Sequence, residues 1–158
     1  MRKAGFFLVA LVFVCGFAWS ETVLIYIKKD DGNQFSEKAL PLAYALEGGV
    51  MDEYFDAGHI IFNAGIKNIS YWKEFPVNMA RREGAGLLLE IVLRVKDGLT
   101  TEESSVAAAA YRLVLLHGMK VLAMGEIEAG SIPTDSKETE KISFLLGKEL
   151  ARKSLSSL

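Results

Sequence analysis

Leu87-Leu88-Leu89-Glu90-Ile91-Val92-Leu93-Arg94-Val95-Lys96 is the stretch on which the fold turns. Leu87, Leu89, Ile91, Leu93 and Val95 recur with a period of two, against Leu88, Glu90, Val92, Arg94 and Lys96. A strand sends successive side chains to opposite faces, so this one has a wholly apolar face and a mixed one. The apolar face requires a core to cover it. Asp97-Gly98 ends the strand.

Toward the C-terminus, a polar run from Thr100 to Ser105 leads into Ala107–His117 and Lys120–Ala129, which read as a hairpin. Tyr111, Leu113 and Leu115 share one face, and Gly118-Met119 suits a two-residue turn with glycine at its first central position. Gly130 to Ser136 is expected as loop. Lys137–Ser154 closes the chain as an amphipathic helix whose stripe is Ile142, Leu145, Leu146 and Leu150.

Toward the N-terminus, Pro76 opens a short helix through Arg82, preceded by Tyr71, Trp72 and Phe75. His59–Gly65, with Ile60-Ile61-Phe62 at its centre, reads as a buried strand. Ser36–Ala57 reads as a helix, with Ala39, Leu42, Ala43, Leu46, Val50 and Tyr54 at helical spacing. Ser36 is its candidate cap and Gly58 its left-handed terminator. Pro41 and the pair Gly48-Gly49 oppose it, each glycine costing about 1 kcal/mol relative to Ala. The expectation is a late start or a break at the glycines. Val23-Leu24-Ile25-Tyr26-Ile27, ended by a turn at Asp30-Asp31-Gly32-Asn33, reads as a central buried strand.

The order is therefore β-α-β-α-β-β-β-α, an α/β (α+β) arrangement with a mixed sheet of about five strands and helices packed on it. The first β-α-β is expected as a right-handed parallel crossover, and the last three strands as an antiparallel meander.

Residues 1–20 stand apart from this domain. Arg2 and Lys3 precede an uncharged run from Ala4 to Phe17, and Ala18-Trp19-Ser20 places small residues at −3 and −1 of a cut before Glu21. That is the pattern of a cleavable signal peptide. The run falls short of the ~20 apolar residues that span a bilayer. Cys15 is the only cysteine of the 158 residues. Val14 before it is too large for lipoprotein processing, so a lipid anchor at Cys15 is not expected. Residues 21–158 are then one exported domain, periplasmic or secreted. It holds no cysteine, so it depends on its core and not on disulfides. Losing Arg2 and Lys3 makes it more acidic than the whole chain's net −2. No basic run remains, which argues against nucleic acid as a partner. No second long apolar run appears, so no transmembrane span is expected in the mature form.

Ala80-Arg81-Arg82-Glu83-Gly84-Ala85-Gly86 leads into the strand at Leu87, and the hairpin Tyr111–Leu122 follows. This sequence of elements resembles the exported α/β domains of the curli-secretion lipoproteins, the penicillin-binding-protein activator lipoproteins and the amino-terminal domain of TolB. Those carry "Ala-x-x-x-Gly-Ala" on a helix before a long strand, then a hairpin and a final helix. The resemblance spans nearly all of residues 21–155 and is one of element order and spacing. It departs in the missing lipid-attachment cysteine and in the missing insertion that would form a pore. It implies an envelope scaffold or activator and not an enzyme, although fold alone does not fix function.

The residues that could carry chemistry are scattered. His59 and His117 sit at predicted strand ends, outside any ligand spacing, so no metal is expected. Asp52 and Asp56 share a helix face with Glu53 beside them, which reads as a solvated helix end. Glu90, Glu126 and Glu128 read as a polar sheet face. No phosphate loop, dinucleotide fingerprint or nucleophile elbow is present, so neither catalytic residues nor cofactors are assigned. Tyr71, Trp72 and Phe75 form an aromatic cluster on a connecting element and are the candidate partner contact, with packing onto the core as the competing reading. The expected function is a non-enzymatic accessory or interaction domain of the bacterial envelope, partnered by another envelope protein. The alternative is a small-ligand-binding protein or minor enzyme with a pocket of scattered residues.

Overall fold

The computed structural model describes residues 21–66, 76–98, 104–130 and 136–158. Its elements are β1 (Thr22–Lys29), α1 (Leu40–Asp56), β2 (Ile60–Asn63), α2 (Pro76–Arg82), β3 (Leu87–Lys96), β4 (Ser105–Leu115), β5 (Lys120–Glu128) and α3 (Ser136–Leu155). The strands form one five-stranded sheet in the order β2-β1-β3-β4-β5. β1 runs parallel to β2 and β3, while β3, β4 and β5 are successively antiparallel. The mixed sheet and the order β-α-β-α-β-β-β-α are those the sequence predicts.

The period-two pattern of β3 does what it predicts. Leu87, Leu89, Ile91 and Leu93 are fully buried on one face, and Val95 packs at its margin. α1 and α3 lie over that face and complete the main core with Val23, Ile25, Leu46, Val50, Tyr54, Leu113 and Leu150. A smaller cluster sits on the opposite face, where α2 brings Met79 and Ala80 onto Leu24, Leu88 and Val114.

α1 begins at Leu40 and runs unbroken through Gly48 and Gly49 to Asp56. Ser36 makes a turn before it, accepting at its carbonyl from the Ala39 and Leu40 amides (3.0 and 2.9 Å) and at Oγ from Ala39 (3.2 Å). Pro41 then falls in the first turn, where its missing N–H leaves no helical bond unmade. Gly58 ends the helix in the left-handed region at φ 85. The His59 amide donates to Tyr54 O (3.0 Å) and the Gly58 amide to Phe55 O (2.9 Å), the paired bonds of a Schellman motif. The His59 and Tyr54 rings supply its side-chain contact, edge to face at 5.7 Å.

The stretch Ala80–Ala85 is the same device. Gly84 has φ 75, and the Ala85 amide donates to Ala80 O (2.9 Å) while Gly84 donates to Arg81 O (3.2 Å). Ala80 and Ala85 are both buried against Leu88. The "Ala-x-x-x-Gly-Ala" pattern is therefore a helix stop that delivers the chain into β3.

Three expectations are corrected, and a fourth, left between two outcomes, is resolved. β2 is an edge strand and not a buried one: only β1 pairs with it, and Ile60 is 58% exposed. Of the two outcomes expected for the helix over Ser36–Ala57, the late start occurs, at Leu40, and the break at the glycine pair does not. The β4–β5 connection is the four residues Leu116–Met119, with both Gly118 (φ 82) and Met119 (φ 54) left-handed. A register shift at Leu113/Val114 accompanies it, so the two-residue turn does not form. Leu145 of α3 is 52% exposed, while Thr139, Ser143, Leu146, Leu150, Ala151 and Ser154 are buried. The buried stripe of α3 is rotated toward its small residues.

Candidate functional site

Why α3 buries small residues is clear from its neighbour. A Cβ on Gly49 would stand 2.0 Å from the Phe144 carbonyl oxygen, and one on Gly147 would stand 2.1 Å from that of Leu46. The two helix backbones touch at these reciprocal glycines. Beside the contact, Tyr54 and Ser154 share a buried hydroxyl hydrogen bond of 2.8 Å, and Ser154 Oγ also donates to Ala151 O (2.9 Å). Burial pushes the Tyr54 phenol up to about 12, against a smaller opposing effect of the Ser154 bond.

Most acids named from the sequence are used to hold elements together. Lys148 donates to Asp52 (2.6 Å), and Arg152 donates through two nitrogens to Glu53 (2.8 and 3.1 Å). The Arg152 guanidinium holds the Glu53 carboxyl below its ordinary value. The acids read as a solvated helix end therefore join α1 to α3, and Asp56 alone of the three stays outside these pairs. On the far sheet face, Arg112 Nε donates to Glu90 (2.7 Å) and Arg94 approaches Glu126 at 3.1 Å. Lys29 bridges Asp97 (2.9 Å) and Asp31 (3.2 Å), tying β1 to the end of β3.

His59 is half-buried, with its Nδ1 enclosed and without a hydrogen-bond partner, and His117 is exposed in the β4–β5 connection. The two are not brought together. No group of three or more metal-binding side chains occurs among the described residues. Tyr71, Trp72 and Phe75 lie outside the described residues. The sequence reading missed Glu47, whose carboxylate is buried on α1 and hydrogen-bonded to the Asn63 side chain of β2. Burial raises its pKa, and the Asn63 bond only partly opposes this.

Open surfaces among the described residues include the following. A cleft of about 520 Å³ lies between β1, β2 and α2, lined by Leu24, Phe62, Asn63, Met79, Arg82 and Glu83. A smaller groove of about 210 Å³ lies farther along the same sheet face, over Lys28, Glu90, Val92, Ala110 and Arg112. A third is the outer side of α1, where Phe55 is 73% and Tyr44 40% exposed, with Gly48 and Met51 half-buried between them. No helix among the described residues is long and apolar enough to cross a membrane.

No family model and no curated protein matches the chain. Solved structures do resemble it in fold. A lipoprotein from Neisseria meningitidis, GNA1162, is 14% identical at TM-score 0.46, covering 84% of this chain and 99% of its own. A PelC dodecamer from Paraburkholderia phytofirmans is 13% identical at TM-score 0.48, covering 84% and 88%. TolB from Acinetobacter baumannii is 7% identical at TM-score 0.43, covering 88% of this chain and 29% of its own. At such identities and TM-scores the likeness extends no further than the arrangement of the chain.

Proposed function

We propose that the protein is a non-enzymatic accessory domain of the bacterial cell envelope, acting by contact with another envelope protein. The observation that carries the reading is what its charged groups do. Asp52, Glu53, Glu90 and Glu126 each face a Lys or Arg of a neighbouring element, so the polar groups hold the scaffold together while its broad faces stay open. Residues 1–20 fit the same role as a leader removed before Glu21, delivering the domain to the periplasm or beyond. Amino-terminal sequencing of the exported form is expected to begin at Glu21. A start at a lipid-bearing Cys15, or retention of Met1, overturns that processing. Crosslinking in the native envelope followed by mass spectrometry is expected to recover a protein neighbour. Recovery of none overturns the accessory role.

One observation favours a second reading, of a small-ligand-binding protein. The cleft between β2 and α2 has a volume in the ~300–1,000 Å³ range of ligand sites, and Arg82 and Glu83 offer polar contacts there. Thermal-shift screening of polar metabolites against Arg82→Ala separates the two readings. A ligand whose stabilisation vanishes in that variant favours the cleft.

A further inference from the structure

α1 carries few charged side chains for an outer helix. Apart from tyrosines, the polar side chains of Leu40–Asp56 are the buried Glu47 and three acids near the C-terminal end. A helix in an outer layer ordinarily turns mainly polar residues to solvent; this one turns out Tyr44 and Phe55 beside Asp52 and Asp56, with Gly48 and Met51 half-buried between the two rings.

We propose that this face is covered by a second copy of the chain, α1 against α1, antiparallel about a two-fold axis. The inference rests on the reading of the protein as an interaction domain and names one of its partners. The steps between Tyr44, Gly48, Met51 and Phe55 are four, three and four residues, a spacing that reads the same in both directions. A two-fold axis requires such a self-complementary patch. Antiparallel alignment about the midpoint of Gly49 and Val50 sets Tyr44 opposite Phe55 of the other copy, and Met51 opposite Gly48. The long, adaptable thioether meets the notch that the missing side chain leaves, and rings meet at both ends.

Charge agrees with the direction of pairing. α1 has no acid in its first turn and no base in its last, so its own dipole is opposed by Asp52, Glu53 and Asp56. Antiparallel pairing lays the exposed Asp56 level with Ala43 of the other copy, beside a helix N-terminus that favours anions. Asp52 comes nearest to Glu47 of the other copy, but Lys148 already neutralises it.

The area sets the strength. At exposures of 73% and 40%, the two Phe55 and two Tyr44 rings offer roughly 500 Å² in all. That is well under the ~1,200 Å² of a stable assembly, so the dimer is weak and concentration-dependent.

Sedimentation of the exported chain up to near-millimolar concentration is expected to show a reversible monomer–dimer equilibrium. Phe55→Glu should raise its dissociation constant about thirty-fold, the scale of an interface hot spot. Gly48→Ala fills the notch and should weaken the dimer while raising the melting temperature of the monomer, because a Cβ there meets only the Phe144 ring at 3.8 Å. A photo-crosslinker at position 55 should give a product of twice the chain mass. A chain that stays monomeric throughout, a dimer untouched by both variants, or a crosslink only to a different protein overturns the proposal. A monomeric chain that still captures an envelope neighbour sinks the dimer and leaves the accessory role standing.

Discussion

α1 and α3 lie side by side on one face of the same sheet, but they dress their outer surfaces differently. α3 turns Glu140, Lys141, Glu149, Arg152 and Lys153 to solvent, with Leu145 as its exposed apolar exception. α1 turns out the large rings of Tyr44 and Phe55 beside Asp52 and Asp56, with Met51 half-buried between them. Toward each other the two behave alike, each presenting a glycine to the other's backbone. The difference separates two demands on a helix. Packing in this layer asks for small residues along one narrow seam, and both helices comply. Nothing in that packing asks for apolar residues on the far side, so the outer face of α1 answers to something outside the fold.

The largest test of this comparison is to thicken the seam. Gly49→Ala places a Cβ 2.0 Å from a backbone oxygen, and Gly147→Ala places one at 2.1 Å, so the helices must separate. Each substitution should destabilise the fold by more than ~3 kcal/mol, at the severe end of single mutations. Gly48→Ala, one residue away, should stabilise by up to ~1 kcal/mol, because only the helix propensity changes. Thermal melting of the three variants reads the contrast directly. Equal behaviour at positions 48 and 49 would break the account of the seam.

How far this was readable beforehand follows from the same residues. The alternation of Leu87–Val95 identifies a buried strand because a period of two has a single geometric cause. Pro76 and Gly58 were legible for a similar reason: each fits one backbone conformation better than its alternatives. The glycine pair was not, since a glycine that breaks a helix and one that admits another helix look the same in one dimension. Only Phe144, distant in sequence, tells them apart. Leu145 misled because the apolar stripe of α3 was sought among its largest residues, whereas the seam selects its smallest. β2 misled because an apolar tripeptide does not reveal how many strands flank it. At the candidate site, Asp52 and Glu53 were visible as a helical cluster, but Lys148 and Arg152 are far along the chain. Glu47 was hidden by its ordinary neighbours.

A smaller effect is expected at the hydroxyl pair within the seam. Tyr54→Phe removes one partner of the 2.8 Å bond to Ser154 and should cost about 1–2 kcal/mol in chemical denaturation. The loss stays modest because Ser154 keeps its bond to Ala151 O. A cost several times larger would mean that the ring, and not the hydroxyl, anchors α1 to α3.

Glu47 sharpens the comparison from the other flank of α1, through pH. Its folded pKa is raised, chiefly by burial, so the folded state holds the proton to higher pH than the unfolded chain does. That contribution to stability is fully present below the ordinary glutamate value and is lost as pH rises through the raised one. Glu47→Gln keeps a group able to bond Asn63 and removes the titration. Its melting temperature should exceed that of the parent at neutral pH, and the two should converge in acid. Curves that stay parallel across that window would show that the carboxylate is solvated in the folded protein.

The smallest effect belongs to the charged edge of the seam. Lys148 meets Asp52 at 2.6 Å and lies 3.5 Å from Glu53, and pairs of this kind trade Coulomb attraction against the entropy of holding long side chains. Lys148→Met should lower the melting temperature slightly at low ionic strength. The deficit should vanish in molar salt, where the screening length falls to about 3 Å. The same variant also lifts a cation from its place 5.8 Å from the Phe144 ring, next to the contact of Gly49 with the α3 backbone. A deficit that persists in high salt would therefore place the work of Lys148 in its cation over the Phe144 ring, a contact that salt screens less than the exposed pair with Asp52.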